Sequence, residues 1–288
     1  MCEGSVLRTT EKTGYFSVIN DQICNQEADL DRPDGNHANH DPSYEDRIDG
    51  VDEITPLVDE FVIDNEVLDV DGHVKGFTSI PEAIEDIRRG KFVIVVDDED
   101  RENEGDLIMA ASIVTPEAMA YIVKHGTGIV CVSMKEGDLE RLQLPLMVTH
   151  KENEEKLRTA FTITVDAKVG TTTGVSAKDR ANTILALASH HSKPEDFNCP
   201  GHIFPLKYRK GGVLKRPGCT EAVVDLAILT GLNPIGVLCE IVDDEDGSMA
   251  RLPKLREFAR KEKLKIISIA DLIRFLQTYM ANPQSKKA

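Results

Sequence analysis

The chain has 288 residues, a formal net charge of −16 at pH 7 and six cysteines, none of them in a CxxC pair. This cysteine pattern argues against a zinc knuckle or a disulfide framework and favours a reducing compartment. The acidic balance argues against nucleic acid as a partner, and no apolar stretch reaches the roughly 18 residues that span a bilayer. We therefore expect a soluble intracellular protein with no nucleic-acid or membrane partner.

The negative charge is concentrated at the N-terminus. Residues 1–75 hold 19 Asp and Glu against 5 Lys and Arg, whereas residues 76–288 are close to neutral. So acidic a segment, with little periodicity, buries too little apolar surface to offset the entropy of ordering it. We predict a largely disordered extension at 1–75 and one globular domain at 76–288. The first residues lack a signal-peptide core and are too acidic for a transit peptide.

Helix and strand signals alternate through the predicted domain. Ser79 and Glu82 form a capping-box pattern at the start of a helix that Gly90 closes. The other predicted elements are, in order, a strand at 92–96, a helix from Thr115 toward Lys124, strands at 129–134 and 159–165, a helix from Ser176 through Leu187, a glycine-rich connector at 210–214, a helix at 221–230 capped by Gly231, a strand at 236–241, a helix from Pro253, a strand at 266–269 and a last helix from Asp271. No βαβ unit repeats, so we predict an α+β fold, a single domain of mixed α/β layers.

An acidic run directly follows the strand predicted at 92–96. Seven of the ten residues at 97–106 are Asp or Glu. Carboxylates gathered at a strand end suit hard divalent cations and proton transfer. The alternative is a solvated acidic turn, which we disfavour because other segments of the chain supply chemical partners.

Three further segments carry candidate functional residues. His202, in a proline-flanked turn at 200–205, is either satisfied by backbone groups or a general acid or base. Arg216 and Thr220 precede a predicted helix, where they form either a phosphate cradle with the helix amides or an ordinary N-cap beside a surface arginine. Glu240 ends an apolar strand as either a paired structural charge or a catalytic one.

Together these segments resemble one family, the 3,4-dihydroxy-2-butanone 4-phosphate synthases of riboflavin biosynthesis, over about residues 77–277. The motifs are most similar to plant members, in which this domain is commonly the first half of a fusion with GTP cyclohydrolase II. The chain offers no cysteine cluster for the zinc of that second half, so we expect the synthase half alone. The stretches that carry the resemblance are 97–109, 172–177, 193–198, 200–206, 218–221 and 247–250.

The resemblance implies a homodimeric, Mg²⁺- or Mn²⁺-dependent lyase that converts D-ribulose 5-phosphate into formate and 3,4-dihydroxy-2-butanone 4-phosphate. Such chemistry begins with proton abstraction beside a carbonyl. By resemblance the site would lie near the subunit interface, and the compartment would be the plastid, or the cytoplasm if no transit peptide is missing. The resemblance implies that Glu102 binds the metal and contacts substrate, and that Arg101 and Asp106 also contact substrate. It implies that His202 and Glu240 are proton shuttles, with Glu240 also contacting substrate, and that Asp97 and Glu104 orient metal or water. The implied phosphate-binding loop consists of Arg216, Pro217, Gly218, Cys219 and Thr220.

One departure from the family affects its metal site. The family has Gly-His-Thr-Glu, with the histidine as a metal ligand, where this chain has Gly218-Cys-Thr-Glu221. Magnesium prefers oxygen ligands, and a thiol must first lose a proton with a pKa of about 8.5, so Cys219 is expected to weaken magnesium binding. Cys199 also stands where many relatives have arginine. Two functions stay open: a working synthase that tolerates Cys219 or uses manganese, and a catalytically impaired domain kept for dimerisation or regulation.

Overall fold

The computed structural model describes residues 76–281. The predicted disordered extension at 1–75 and the last seven residues of the predicted domain lie outside the described residues. The helices are α1 Ile80–Arg88, α2 Pro116–His125, α3 Glu136–Arg141, α4 Ala177–Ala188, α5 Cys219–Thr230, α6 Leu252–Glu262 and α7 Ile269–Ala281. The strands are β1 Val93–Val96, β2 Gly105–Ala110, β3 Cys131–Met134, β4 Val165–Ala167, β5 Phe197–Lys207, β6 Gly236–Glu240 and β7 Lys265–Ser268.

The seven strands form one mixed sheet in the order β4-β5-β3-β6-β2-β1-β7. The pairs β1–β7 and β3–β5 are parallel, and the other neighbours are antiparallel. Successive residues of a strand point to opposite faces: Ile94 packs with α2, α4 and α6 on one face, and Val95 packs with α1, α5 and α7 on the other. The α+β prediction is confirmed, in the form of a sheet covered by helices on both faces.

Several predicted helix ends are confirmed, but one cap differs. Thr115 accepts a hydrogen bond from the Ala118 amide (3.1 Å) at the start of α2, and Gly231 ends α5 with a φ of +74°. At the start of α1, the Ser79 hydroxyl donates to the Glu82 carboxylate (2.8 Å) instead of capping the backbone. The capping-box prediction therefore gave the correct helix and the wrong hydrogen bond.

The chain between residues 159 and 207 departs most from prediction. Most of the strand predicted at 159–165 is irregular, with isolated bridges at Phe161 and Thr162, and β4 starts only at Val165. The predicted turn around His202 is wrong, because 197–207 forms the longest strand, β5. Gly201 allows this pairing, since a Cβ there would overlap the backbone of Val165. Strand β2 and helix α3 were not predicted.

Helix α5 lies at the centre of the molecule. All twelve of its residues are buried, as expected of a helix enclosed by a core, and eight of them are apolar. The buried polar residues are Thr220, Glu221, Asp225 and Thr230. It begins at Cys219, two residues before the predicted start. Its first turn is held against the sheet, where the Ser133 hydroxyl donates to the Thr220 carbonyl (2.7 Å). This packing places the N-terminus of α5 beside the ends of β1 and β3.

Asp225 on α5 anchors the turn that leads to the predicted phosphate loop. Its carboxylate accepts hydrogen bonds from the Tyr208 hydroxyl (2.9 Å) and the Val213 amide (2.8 Å). Burial raises the pKa of Asp225 to about 6, although these two hydrogen bonds oppose the shift. The folded protein therefore binds the Asp225 proton more tightly than the unfolded chain does.

The Asp225→Asn substitution is expected to make stability less dependent on pH. Because the folded pKa is raised, the stabilising contribution of Asp225 is complete below the unfolded pKa and is lost as pH rises through about 6. Relative to the wild type, the variant should gain about 2 kcal/mol in unfolding free energy between pH 4 and pH 7.5. Urea unfolding at several pH values measures this gain. The exposed Asp100→Asn is the control, and parallel curves for wild type and Asp225→Asn would contradict the prediction.

None of the helices between residues 76 and 281 combines the length and apolar character that crossing a bilayer requires.

Candidate active site

The acidic run forms the loop between β1 and β2, and Asp97 organises it. The Asp97 side chain is 1% exposed. One of its oxygens accepts from Arg101 Nη1 (2.7 Å) and the Glu102 amide (3.1 Å), and the other accepts from the Glu104 amide (2.9 Å). Asp97, predicted to orient metal or water, therefore has both oxygens engaged within the loop, where they position Arg101 and Glu102.

Glu102 stands at the open side of this loop. Its carboxylate pairs with the Arg101 guanidinium, and the Glu102 side chain is 38% exposed. Burial raises the Glu102 pKa, while Arg101 and Arg216 oppose the shift. Arg251, before α6, donates to the backbone carbonyls of Glu102 (2.7 Å) and Asn103 (2.6 Å). The loop is thus held from inside by Asp97 and from outside by Arg251.

Glu104 is the more peripheral carboxylate of the loop. Its Oε1 lies 3.6 Å from Arg251 Nη1. Burial raises the Glu104 pKa, against the effect of Arg251, and the neighbouring Glu102 adds to the rise. Glu104 therefore adds negative charge to the site from its edge.

Asp106 and Glu240 are cross-strand neighbours on β2 and β6. Directly opposed residues of an antiparallel pair have Cβ atoms about 5 Å apart. Asp106 is buried, and burial raises its pKa well above the ordinary value, with further contributions from Glu240 and Glu102. Glu240 is partly buried and accepts from the Thr127 hydroxyl (3.1 Å). These carboxylates concentrate negative charge at one end of the sheet.

The loop at 216–220 brings two guanidinium groups to the same place. A Cβ on Gly218 would lie 2.6 Å from Arg216 Nη1 and 2.9 Å from Arg101 Nη2, so both groups reach the face of this glycine. Arg216 is held by the buried Glu221 carboxylate (2.7 Å) and the Thr159 hydroxyl (3.0 Å). Pro217 is exposed beside it. The arginines therefore converge beside the N-terminus of α5, where free amides also favour an anion.

A groove of about 890 Å³ opens beside this loop, with Arg216, Thr220 and Glu221 in its wall. Among residues 76–281, the acidic residues that line it are Glu136, Asp138 and Glu221. Cationic lining residues outnumber them: Lys135, Arg141, Arg158, Lys207, Arg209, Lys210 and Arg216, together with His150 and His190. This excess of positive charge, in a strongly acidic chain, favours an anionic ligand such as a phosphate ester.

Cys219 is the first residue of α5 and lies among the carboxylates. Its thiol is buried, with Sγ 3.9 Å from the Val95 carbonyl oxygen. Burial raises the pKa of Cys219 well above its ordinary value, and Asp106 and Asp97 add to the rise. Cys219 therefore remains a neutral thiol, which is a poor ligand for a hard cation.

His202 belongs to a separate part of the site, on β5. Its Nδ1 lies 2.7 Å from Asp166 Oδ2, and its side chain is 45% exposed. The register aligns Leu238 of β6, Cys131 of β3 and Phe204 of β5, so Glu240 and His202 follow at the same end and on the same face. One strand separates them, which puts their backbones about 10 Å apart.

The donor types at this end of the sheet fit a divalent cation with few protein ligands. Among residues 76–281, no group of three or more His, Cys, Asp and Glu side chains is arranged to hold a metal. Magnesium often takes only one or two carboxylates and fills its other positions with water and substrate oxygens. Glu102, whose side chain is 38% exposed and which lies near Asp97, Glu104 and Asp106, suits that role.

Sequence reasoning missed several residues that hold the candidate site together. Asp166 contacts His202, and Gly174 packs against both of them, while Glu221 holds Arg216. Only Asp166 had a usable signal, because it directly follows the strand predicted at 159–165 and continues the alternation of Thr162 and Thr164. The role of Gly174 depends on contacts between distant segments.

An α+β domain that gathers carboxylates and arginines beside an anion-binding helix N-terminus is typical of an enzyme acting on a phosphorylated small molecule. Residues 81–275 match the family model for 3,4-dihydroxy-2-butanone 4-phosphate synthase. The chain belongs to this family, as its motifs predicted.

Relatives agree with this assignment. The chain is 79% identical over 223 residues to the probable bifunctional riboflavin biosynthesis protein RIBA 1, chloroplastic, of Oryza sativa subsp. japonica, covering 77% of this chain and 41% of the rice protein. It is 54% identical over 198 residues to the 3,4-dihydroxy-2-butanone 4-phosphate synthase of Agrobacterium fabrum, covering 69% and 92% of the two chains. A crystal structure of a 3,4-dihydroxy-2-butanone 4-phosphate synthase in complex with two magnesium ions superposes with a TM-score of 0.68 at 41% identity, covering 73% of this chain and 100% of that one. The chain thus spans about two fifths of the rice relative.

Proposed function

We propose that this protein converts D-ribulose 5-phosphate into 3,4-dihydroxy-2-butanone 4-phosphate and formate, a step of riboflavin biosynthesis. The observation that carries the proposal is the convergence of Arg101 and Arg216 on Gly218, directly beside Glu102. This arrangement offers an anion site and a carboxylate site within the reach of one sugar phosphate.

In this proposal the phosphate lies at the start of α5. Arg216 and the amides of the first helical turn bind it, with Thr220 beside them, and the cationic groove draws the dianion toward them. Glu221 keeps the Arg216 fork in place. Arg101 and Asp106 contact the hydroxyl and carbonyl groups of the sugar.

Glu102 would hold the divalent cation, Mg²⁺ or Mn²⁺, at the reacting end of the sugar. When bound, such a cation stabilises the negative charge that develops beside a carbonyl. His202 and Glu240 are the groups proposed to move protons, since both stand at this end of the sheet with polar partners that orient them.

We further propose a homodimer in which His202 of one copy stands beside Glu102 of the other. In a single chain His202 and Glu240 are separated by a full strand. The loop after β4, which packs on His202 through Gly174, also exposes Val169 (82% exposed) and Val175 (47% exposed). Exposed apolar side chains beside a site are typical of a protein interface.

Mixing two inactive variants tests the activity and the shared site together. His202→Ala and Glu102→Gln are each expected to release almost no formate from D-ribulose 5-phosphate with either metal. If the copies exchange and share sites, an equal mixture should recover about a quarter of the wild-type rate. If subunit exchange is confirmed and no activity returns, His202 and Glu102 must serve the active site from the same copy. No formate from the wild-type protein would overturn the proposed reaction.

The buried thiol of Cys219 favours a second candidate, a catalytically impaired synthase domain that acts through dimerisation or regulation. A neutral thiol at the metal position removes a ligand that the family supplies as histidine. The chain keeps the other residues that the resemblance assigns to the site, and for that reason the working synthase is our first proposal.

Cys219→His is expected to strengthen magnesium binding and to raise formate release about tenfold or more at limiting Mg²⁺, because a neutral imidazole offers a lone pair to a cation whereas the Cys219 thiol must first lose its proton. Titrating Mg²⁺ against the initial rate measures both effects. Cys199→Ser, which changes an exposed thiol on β5, is the matched control. An unchanged apparent magnesium affinity in Cys219→His would refute the ligand argument.

The rice relative is a chloroplastic protein, which supports a plastid location for this chain. Organelle import of a tagged full-length protein tests that proposal, and retention in the cytoplasm would oppose it.

A further inference from the structure

Asp166 makes two contacts with His202. The side chain lies on β4 and is buried (8% exposed). Its Oδ2 lies 2.7 Å from His202 Nδ1, and its Oδ1 accepts from the His202 backbone amide at 3.0 Å. Each oxygen of one carboxylate therefore holds a different part of the same histidine.

This arrangement selects one tautomer of the imidazole. An ionised carboxylate can only accept hydrogen bonds, so the ring nitrogen that faces it must carry the proton. In the neutral ring Nδ1 is then the donor, and Nε2 keeps its lone pair. The exposed edge of His202 thus presents a nitrogen that can accept a proton.

The surroundings leave the pair little freedom. A Cβ on Gly174 would overlap Asp166 Oδ2 and approach His202 Nδ1 to 2.7 Å, so the glycine backbone closes one side. Strand β4 is anchored beside Asp166, where the Ala167 amide donates to the buried Thr183 hydroxyl (2.9 Å). The Gly201 amide donates to the Thr164 hydroxyl (3.0 Å) and ties β5 to the same edge.

We propose that Asp166 is a positioning residue for the lyase reaction, which holds His202 in the Nδ1–H tautomer and aims Nε2 at the substrate. The proposal rests on the proposed function for its kinetic consequence. Its structural consequence, the tautomer of His202, holds whether or not the protein turns over substrate.

Asp166→Asn separates positioning from simple packing. The His202 backbone N–H requires an acceptor, so the single amide oxygen of asparagine should face it, and the amide NH₂ should then face Nδ1. A donor at that place forces Nδ1 to accept and moves the ring proton to Nε2. We expect kcat to fall about 100-fold with KM within twofold of the wild type, because the substrate-binding arginines are untouched.

The ring nitrogens report the tautomer directly. In protein labelled with ¹⁵N-histidine, His202 should show a protonated Nδ1 in the wild type and a protonated Nε2 in Asp166→Asn. Asp166→Glu, which keeps the carboxylate, should keep the wild-type tautomer. Its kcat should be at least tenfold higher than that of Asp166→Asn. Thr183→Val is the control for damage to β4: it should lower thermal stability and leave the tautomer and kcat unchanged.

Retention of the Nδ1–H tautomer, or of kcat, in folded Asp166→Asn would overturn the proposal. If Asp166→Asn does not fold, a shifted tautomer or an unrecovered kcat in Asp166→Glu would do the same. A wild-type protein that releases no formate would refute the proposed function, and the ring-nitrogen comparison would still decide the role of Asp166.

Discussion

Replacing Glu102 by glutamine is expected to reduce formate release by roughly a thousandfold, since the change removes a charge aimed at the reacting centre. Asp97 and Arg101 should keep the loop in place, because their hydrogen bond and the Glu102 backbone amide are unaffected. Burial raises the Glu102 pKa, so a neutral side chain here should leave the folded state at least as stable as before.

The assay follows formate release over a range of Mg²⁺ and Mn²⁺ concentrations, with thermal unfolding measured in parallel. Glu99→Gln is a matched control, since Glu99 is an exposed carboxylate of the same loop. Equal rates for Glu102→Gln and Glu99→Gln would remove Glu102 from the site, and the metal assignment with it.

Gly174→Ala is expected to destabilise the fold by about 3 kcal/mol. Gly174 has a φ of +84°, a left-handed conformation that costs an alanine roughly 1–2 kcal/mol. The added methyl would also overlap the Asp166 carboxylate, and overpacking of this kind costs roughly 1–3 kcal/mol more. The displacement of Asp166 would release His202, so activity should fall as well.

Gly128 provides the control for backbone conformation alone. Its φ is +83°, and in the described part of the chain no atom beyond its two chain neighbours lies within 4 Å of where its Cβ would be. Gly128→Ala should therefore cost only the conformational part, about 1–2 kcal/mol. Urea unfolding of both variants measures the difference, and equal losses would show that Gly174 does not brace the histidine.

Local signals in the sequence were enough to predict most helices. The apolar stripe and closing glycine of α1, the Thr115 cap of α2 and Gly231 after α5 each act within a few residues. The residues of the candidate site were also selected from short motifs. Their chemistry depends on residue type, which the sequence states directly.

Strands β2 and β5 lacked such signals. β2 begins with Gly105 and Asp106, which are buried only because β1 and β6 flank them. β5 contains Pro200 and Pro205, and proline inside a central strand normally argues against that assignment. The pairing of Asp166 with His202 joins residues 36 positions apart, so it follows from the fold and from no local pattern.

The contact of Arg251 with the Glu102 loop implies that activity and the overall fold are lost at different temperatures. The loop that carries Glu102 is clamped by an arginine 149 positions later in the chain, just before α6. Proteins open in cooperative segments of unequal stability, and the core is the last to open. If α6 and its preceding residues loosen on heating, Glu102 loses its outer support while the sheet is still intact. Catalysis should therefore be lost at a lower temperature than the folded sheet. A stored or warmed sample would then remain folded after its activity had disappeared.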